Sequence, residues 1–453
     1  MLFEFLQIAI GNRKSLSVTL SESDWLRLFD FCKKQALIGI GFSTVEKMHK
    51  QGVVCPSYIL TKWMAIAFQI EKQNTLLNEQ CRQLTEHYEH DGIATCILKG
   101  QGNLLNYPEE LRKRRQCGDI DVWATLMNDE ELRINDSGIP IAVQTGGNDV
   151  EYVSYYGHQA IREYVRMQHR IEGNKGTPNL RYNHIDAPNM GGTPIEIHYR
   201  PSYCNSPIRN WRMLRWFNNH ADVCMKNKTS MGFSVPISSV NVVYQMCHLF
   251  SHYFDEGLGL RQLMDYYFAL RVWHNDVMEC KDLQSQGMWS EGLGTPVMSK
   301  EEVMAVLRSF GMRKFAGAVM WVLNEAFENE ECRMKKQRSA TEGKANVECS
   351  DADEVGEQQL PAIGQQLSKK YYVPWMICEP DEKEGRKLLA EIMQGGNFGQ
   401  YDTRDVLLKK GGMMKHGLWK LKRVMRLVSS YPEEALWEPV FRVWHLVWRG
   451  ING

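Results

Sequence analysis

Two carboxylates one residue apart are the feature of this sequence with the clearest chemical meaning. Asp119 and Asp121 are separated by an isoleucine in the segment 117–123, CGDIDVW. Because side chains alternate along a strand, both acids would lie on one face of it. Neighbouring carboxylates repel unless a cation neutralises them, and oxygen ligands of this kind suit Mg²⁺, which holds substrate phosphates. The pair therefore predicts a magnesium site for phosphoryl or nucleotidyl chemistry; the alternative is a strand edge whose acids protect it from aggregation.

A phosphate-binding turn is predicted just before this pair. Residues 99–102, KGQG, follow a β-type run at 94–98 and precede a helix-like piece that begins at Asn103. A glycine before a helix N-terminus lets phosphate oxygens approach the backbone, and Lys99 adds a positive charge. The alternative is an ordinary strand-to-helix turn with a solvated lysine.

A third carboxylate is predicted at Glu196. Residues 195–198, IEIH, alternate as a strand, with Glu196 and His198 on one face. A further carboxylate beside an acidic pair serves to fix a second metal ion or to orient an attacking hydroxyl. The alternative is that Glu196 simply faces solvent.

Taken in order, these segments resemble the uncharacterised nucleotidyltransferase family within the DNA-polymerase-β-like superfamily. The matching residues and segments are LKG at 98–100, Tyr107, Arg115, GDID at 118–121, IEIHYR at 195–200, CH at 247–248 with His252, GLRQLMD at 259–265, and 431–445 near the end.

The resemblance implies a small mixed sheet flanked by helices, and Mg²⁺-dependent transfer of a nucleoside monophosphate from an NTP to an acceptor hydroxyl with release of pyrophosphate. It implies that Asp119, Asp121 and Glu196 bind the metal and are catalytic. The nucleotide-binding residues that it implies are Lys99, Gly100, Arg115, Gly118, His198 and Arg200. Better-known members of the superfamily carry Gly-Ser where this chain has Lys99-Gly100, so the phosphate contacts depart from the common pattern.

The elements that position these residues predict an α+β chain of several parts. Residues 1–92 are helical, with a cap at Ser23-Asp24 and a long helix opened by Pro56. Residues 93–205 alternate strands and helices and form the nucleotidyltransferase core, with a polar connection at 171–192. Residues 206–330 form a helical domain, 331–370 a polar linker or insertion, and 371–453 a C-terminal helical region with a basic segment.

Composition bears on partners, on membrane insertion and on the redox compartment. The chain has 453 residues, and 54 Lys and Arg balance 54 Asp and Glu, so net charge favours neither nucleic acid nor membrane as a partner. No apolar run is long enough for stable membrane insertion. The 12 cysteines never form a CxxC pair, which argues against a zinc site or a disulfide framework and favours the cytoplasm.

Two further features have alternatives that the residues leave open. His248 and His252 are four apart, a spacing for metal ligands or for histidines of a core or cleft, while Arg261 and Asp265 predict a helix-surface pair or residues facing the catalytic strand. Between Arg404 and Arg426 eight basic residues accompany one acid. This segment is either a solvated helix over a core or a dock for RNA, an anionic acceptor or a membrane surface.

Three functional hypotheses follow. The first is the Mg²⁺-dependent nucleotidyltransferase, with an NTP and an acceptor that is a small molecule, a protein or an RNA. The second is a catalytically silent nucleotide-binding or interaction module, for instance an antitoxin-like partner. The third is an RNA-modifying nucleotidyltransferase, which depends on the basic segment 404–426 alone.

Overall fold

The computed structural model describes residues 1–127, 139–144, 150–155, 157–173, 176–285, 297–328, 374–404 and 412–452. The predicted linker at 331–370 lies outside these residues, as does part of the basic segment, 405–411. The chain is mostly helical around a small mixed sheet. The predicted α+β class, with a sheet core flanked by helices, is confirmed.

Four helices form the N-terminal region: α1 (Leu2–Ala9), α2 (Glu22–Lys34), α3 (Ile38–Lys50) and α4 (Ser57–His90). A reciprocal capping box of Ser21 and Asp24 begins α2, so the cap lies two residues before the predicted Ser23. Pro56 precedes the first residue of α4, as predicted. The side chains of Trp63 and Tyr88 on α4 are fully buried and belong to two different hydrophobic clusters, so this helix joins the helical half to the sheet.

The sheet and its surroundings follow in chain order. They comprise β1 (Ile93–Ile97), a 3₁₀ turn (Gly100–Asn106), α5 (Glu109–Arg112), β2 (Ile120–Leu126), the hairpin β3 (Ile139–Gln144) and β4 (Val150–Tyr155), α6 (Gly157–Ile171), β5 (His184–Met190) and β6 (Thr193–His198). The strand order is β1-β2-β6-β5, where β2 and β6 are parallel and the outer pairs antiparallel. β3 and β4 pair only with each other.

The two faces of the sheet have different neighbours. Ile120, Val122, Ile195 and Ile197 point to one face, where they join a hydrophobic cluster with α4 and α6. Trp123 points to the other face and packs with the helical half. The period-two alternation therefore puts the polar residues of β2 and β6 on the face that looks toward the helical half.

The remaining helices build that half of the molecule. They are α7 (Pro207–Asn219), α8 (Ala221–Lys226), α9 (Ser238–Asp255), α10 (Leu260–Ser285), α11 (Lys300–Ser309), α12 (Arg313–Phe327), α13 (Glu382–Gly395), α14 (Met413–Leu427) and α15 (Pro432–Asn452). No helix of the described residues is both long and apolar enough to cross a membrane.

A buried ion pair ties the sheet segment to α10. The Arg115 guanidinium donates two hydrogen bonds of 2.6 Å to the two carboxylate oxygens of Asp265, and the Tyr107 hydroxyl donates a third to the same group. All three side chains are buried. The predicted surface pair between Arg261 and Asp265 is therefore wrong, because Asp265 turns inward to the loop before β2, while Arg261 donates to the carbonyl of Gln116.

Asp265→Asn is expected to lower the free energy of unfolding by about 3–5 kcal/mol, because a buried guanidinium then loses its compensating charge. The matched control is Glu382→Gln, which breaks the exposed pair of Glu382 with Arg386 and should change stability little. Urea unfolding followed by circular dichroism measures both. Similar small effects for the two variants would show that the buried pair does not hold these segments together.

Candidate functional site

The parallel pairing of β2 and β6 brings the predicted carboxylates together. Asp121 on β2 lies in register with Glu196 on β6, and Asp119 directly precedes β2. Asp121 is fully buried, whereas the side chain of Asp119 is 45% exposed. Residues paired across strands point to the same face, so the sheet itself places the carboxylates of Asp121 and Glu196 side by side.

Lys99 lies between the two aspartates. Its Nζ is 3.1 Å from Oδ1 of Asp121 and 3.9 Å from Oδ2 of Asp119. Burial opposes the charged form, but Asp121, Asp119 and Glu196 together raise the pKa of Lys99. The lysine therefore remains charged and compensates the buried carboxylate.

His198 is the second cation of the cluster. Its Nε2 is 3.1 Å from Oδ1 of Asp121 and 3.4 Å from Oε2 of Glu196. Burial alone would disfavour the imidazolium, yet hydrogen bonds to Asp121 and Glu196 raise the pKa of His198 to about 9. For Glu196, burial raises the pKa, but the hydrogen bond and the positive charge of His198 outweigh burial and lower the pKa to about 2.

Two residues of β5 that the sequence analysis missed complete this face. His184 lies opposite His198 and Asp186 opposite Glu196 in the antiparallel pair. The segment 171–192 was predicted as a connection, which is wrong for β5. The signal was Gly191-Gly192, both with positive φ, since two such glycines between alternating segments are typical of a two-residue hairpin.

The donor atoms of this face suit a divalent cation. Oδ2 of Asp121 is buried and accepts no hydrogen bond from any described residue, as an oxygen free for a metal would. Among the described residues, His184, Glu196 and His198 form the group whose ligand atoms lie within 4.8 Å of one another. Carboxylate oxygens suit Mg²⁺, whereas imidazole nitrogens favour transition metals. Within the part of the chain that the structure describes, Asp119 and Asp121 are not part of such a group, so the geometry supports a mixed set of ligands in which Glu196 is the one predicted carboxylate.

The predicted phosphate turn leads into a 3₁₀ turn that begins at Gly100 rather than at Asn103. Lys99 precedes the 3₁₀ turn, and Gly100 has φ +62°, a conformation that favours glycine. A Cβ at Gly102 would lie 2.3 Å from the carbonyl oxygen of Ile97, so this glycine allows the turn to fold back on β1. Gly118 has a negative φ and open space around it, so no steric reason requires glycine there.

A cavity of about 820 Å³ opens in front of the carboxylates. The sheet wall contains Lys99, Asp119, Glu196 and His198, and α9 supplies a second wall with His248 and His252. The third wall comes from the C-terminal helices α14 and α15, including Lys420, Phe441 and Arg442. Strands β2 and β6, which the sequence predicted to carry the site, therefore face α9 on one side of the cavity and α14 and α15 on the other.

The histidines of α9 line the cavity without joining the carboxylates. The rings of His248 and His252 lie 4.3 Å apart, edge to face. Burial lowers the pKa of both, to about 3 for His252, so both are neutral. They fit the predicted cleft histidines, and among the described residues they are not part of a metal-capable group.

Arg115 and Arg200 lie apart from the cavity lining. Arg115 is engaged with Asp265, as described above. Arg200 donates to the carbonyl oxygen of Tyr182 and stacks its guanidinium on the Tyr182 ring at 4.4 Å. Nucleotide contacts by either arginine would require it to leave these partners.

Much of the basic segment is engaged with the protein in its described part. Arg404 pairs with Glu391 and Asp402, and buried Arg423 donates to the carbonyls of Tyr253 and Phe254. Lys420 turns into the cavity. The charge run in the sequence therefore overstates the basic surface that α14 presents to solvent.

The imidazole of His198 in the metal-free protein is expected to titrate with a midpoint near pH 9. Because the folded pKa is raised, its contribution to stability is complete below about pH 6.5 and is lost as the pH rises through 9. Proton NMR of the ring, assigned with His198→Gln, measures the midpoint. Glu196→Gln should lower it, and a midpoint below the ordinary histidine value would contradict the cluster described here.

Comparison with known proteins supports the same core. The family model described as uncharacterised nucleotidyltransferase matches residues 21–287, which include β1, β2, β6 and the ion pair between Arg115 and Asp265. No curated protein and no solved structure matches the chain. With more than half of its length matched by that model, the chain belongs to the uncharacterised nucleotidyltransferase family.

Proposed function

We propose that this protein is a Mg²⁺-dependent nucleotidyltransferase that transfers a nucleoside monophosphate from an NTP to an acceptor hydroxyl. The observation that carries the proposal is the register of Asp121 with Glu196 on parallel strands, beside Asp119 and in front of a cavity of about 820 Å³. This size is in the range of ligand pockets that enclose most of a small molecule.

Asp119, Asp121 and Glu196 would hold the metal. Bound there, Mg²⁺ would orient the triphosphate and neutralise charge as it develops at the α-phosphate. In the transfer, the acceptor hydroxyl oxygen would form a bond to the α-phosphorus, the bond from that phosphorus to the oxygen that bridges the α- and β-phosphates would break, and pyrophosphate would leave with that oxygen. The hydroxyl proton would pass to the Glu196 carboxylate.

The chain's own residues have distinct tasks in this proposal. Glu196 accepts a hydrogen bond from the acceptor hydroxyl or completes the metal site. Lys99 would exchange its contact with Asp121 for the β- and γ-phosphates, next to the backbone of Gly100. His198 fixes the orientation of Asp121 and Glu196 through its Nε2.

A silent nucleotide-binding or interaction module is the second candidate, and one observation favours it. Lys99 and His198 already compensate Asp121 and Glu196, so the charges of these two carboxylates are balanced without any metal. Such a module would bind a nucleotide or partner in the same cavity and transfer nothing.

Replacing Asp119 and Asp121 together by asparagine is expected to lower nucleotidyl transfer by about 10²-fold or more, because the charges that place the metal are lost. The measurement is the transfer of label from α-labelled NTPs to lysate components, with Mg²⁺-dependent NTP binding followed by calorimetry.

The control is Asp30→Asn on the exposed face of α2, which should leave transfer unchanged. Equal Mg²⁺-dependent binding by the double variant and the wild type would refute the metal site. Normal NTP binding by the wild type without transfer to any component would favour the silent module.

A further inference from the structure

The third wall of the cavity carries more positive charge than its carboxylates compensate. Lys420, Arg442 and Arg449 line it, and Arg181 from the segment before β5 lines the same cavity; the carboxylates on this side are Glu438 of α15 and, at the end of α9, Asp255 and Glu256. Among the described residues, neither Arg181 nor Arg449 lies within ion-pair distance of a carboxylate. The Nζ of Lys420 is 3.9 Å from Asp255, at the limit of contact. Only Arg442 has a close partner, Glu438.

These cations are close enough to influence one another. Burial and then the charges of Arg449, Arg181 and Arg442 lower the pKa of His445 to about 4. Burial also lowers the pKa of Lys420; the charges of Asp255 and Glu256 raise it, whereas those of Arg442 and Arg181 lower it further. Like charges gathered at a half-buried surface are unfavourable unless an anion joins them.

The wall also has a flat apolar component. The rings of Tyr203 and Phe441 stack at 5.1 Å with an angle of 16° between them, and the ring of His445 lies parallel to Phe441. These residues belong to α15 and to the segment after β6. The family model ends at residue 287, so α14 and α15 lie outside the part of the chain that it matches.

We infer that the C-terminal wall is the acceptor site and that the acceptor is a small phosphorylated molecule with a free hydroxyl. The inference deepens the proposed function and rests on it. The NTP then uses the carboxylate wall, while the acceptor's phosphate is held by Arg181, Lys420 and Arg442 and its hydroxyl faces Glu196. An arginine guanidinium binds two phosphate oxygens at once. A neutral or cationic acceptor would leave these guanidinium groups without partners.

A small molecule fits this wall better than a nucleic acid does. Lys420 and Arg442 point into a bounded cavity, whereas Arg404 and Arg423 are engaged with the protein. Nucleic-acid binding needs a continuous basic surface. In its described part, Arg404, Lys420 and Arg423 of the basic segment face the protein, and the exposed Lys415, Lys422 and Arg426 remain as its basic surface.

The test measures binding of glycerol 3-phosphate by calorimetry, with Mg²⁺ and each of the four non-hydrolysable NTPs in turn. We expect saturable binding of glycerol 3-phosphate and none of glycerol. Lys420→Gln should weaken it at least about tenfold, because a charge-assisted hydrogen bond is lost. Arg442→Gln combined with Glu438→Gln should do the same without leaving a buried carboxylate unpaired. Affinity for the NTPs should not change.

Arg426→Gln is the matched control, because Arg426 lies on the same helix as Lys420 but is exposed; it should bind like the wild type. Equal binding by the Lys420→Gln protein, or no saturable binding by the wild type, would overturn the inference. Displacement of the NTP by glycerol 3-phosphate would also do so, because the wall would then hold the NTP's own phosphates. If a single-stranded RNA oligonucleotide binds more tightly than glycerol 3-phosphate, and Lys420→Gln abolishes that binding, the acceptor is an RNA instead. If the wild type does not bind any of the four NTPs, the proposed function itself is refuted, whatever the result with glycerol 3-phosphate.

Discussion

A fully buried carboxylate, Asp121, is the constraint on which the rest of this structure depends. An uncompensated charge in that position would be strongly unfavourable, so the surroundings must supply positive charge. They do so from both sides, with Lys99 from the turn after β1 and His198 from β6. These contacts require that β1, β2 and β6 keep one register, and they give the face of the sheet its polarity.

The second requirement is that the sheet be held against the helical half. The ion pair of Arg115 with Asp265 meets this need, because it joins the segment just before β2 to α10. Tyr107 adds a hydrogen bond from the preceding turn. Arg115 and Asp265 both belong to the pattern through which the sequence resembles its family. In the structure they have an architectural role, because they position β2, which carries Asp121 and follows Asp119.

The cavity has walls of different composition. The sheet wall contributes Asp119 and Glu196 beside Lys99 and His198, whereas the C-terminal wall contributes Lys420, Arg442 and Arg449 with aromatic rings. In the reaction proposed above, each of two anionic molecules would be held at its own wall without repelling the other. The family model matches the sheet wall and not α14 and α15, so the resemblance expected from the sequence at 431–445 lies outside the matched residues.

Local patterns in the sequence were enough for the α+β class, for the long helix α4 and for the strand positions of Asp121 and Glu196, because strand alternation and helix starts depend on near neighbours. The sequence did not reveal the partner of Asp265, since Arg115 lies 150 positions away along the chain and the nearby Arg261 looked equally suitable. It also did not reveal His184 and Asp186, whose strand lacks a strong apolar run and forms because β6 offers it an edge. Only the tertiary structure turned Lys420 and Arg442 into the cavity, because the inward faces of these helices are decided by the packing of α14 against α9 and of α15 against α14 rather than by charge.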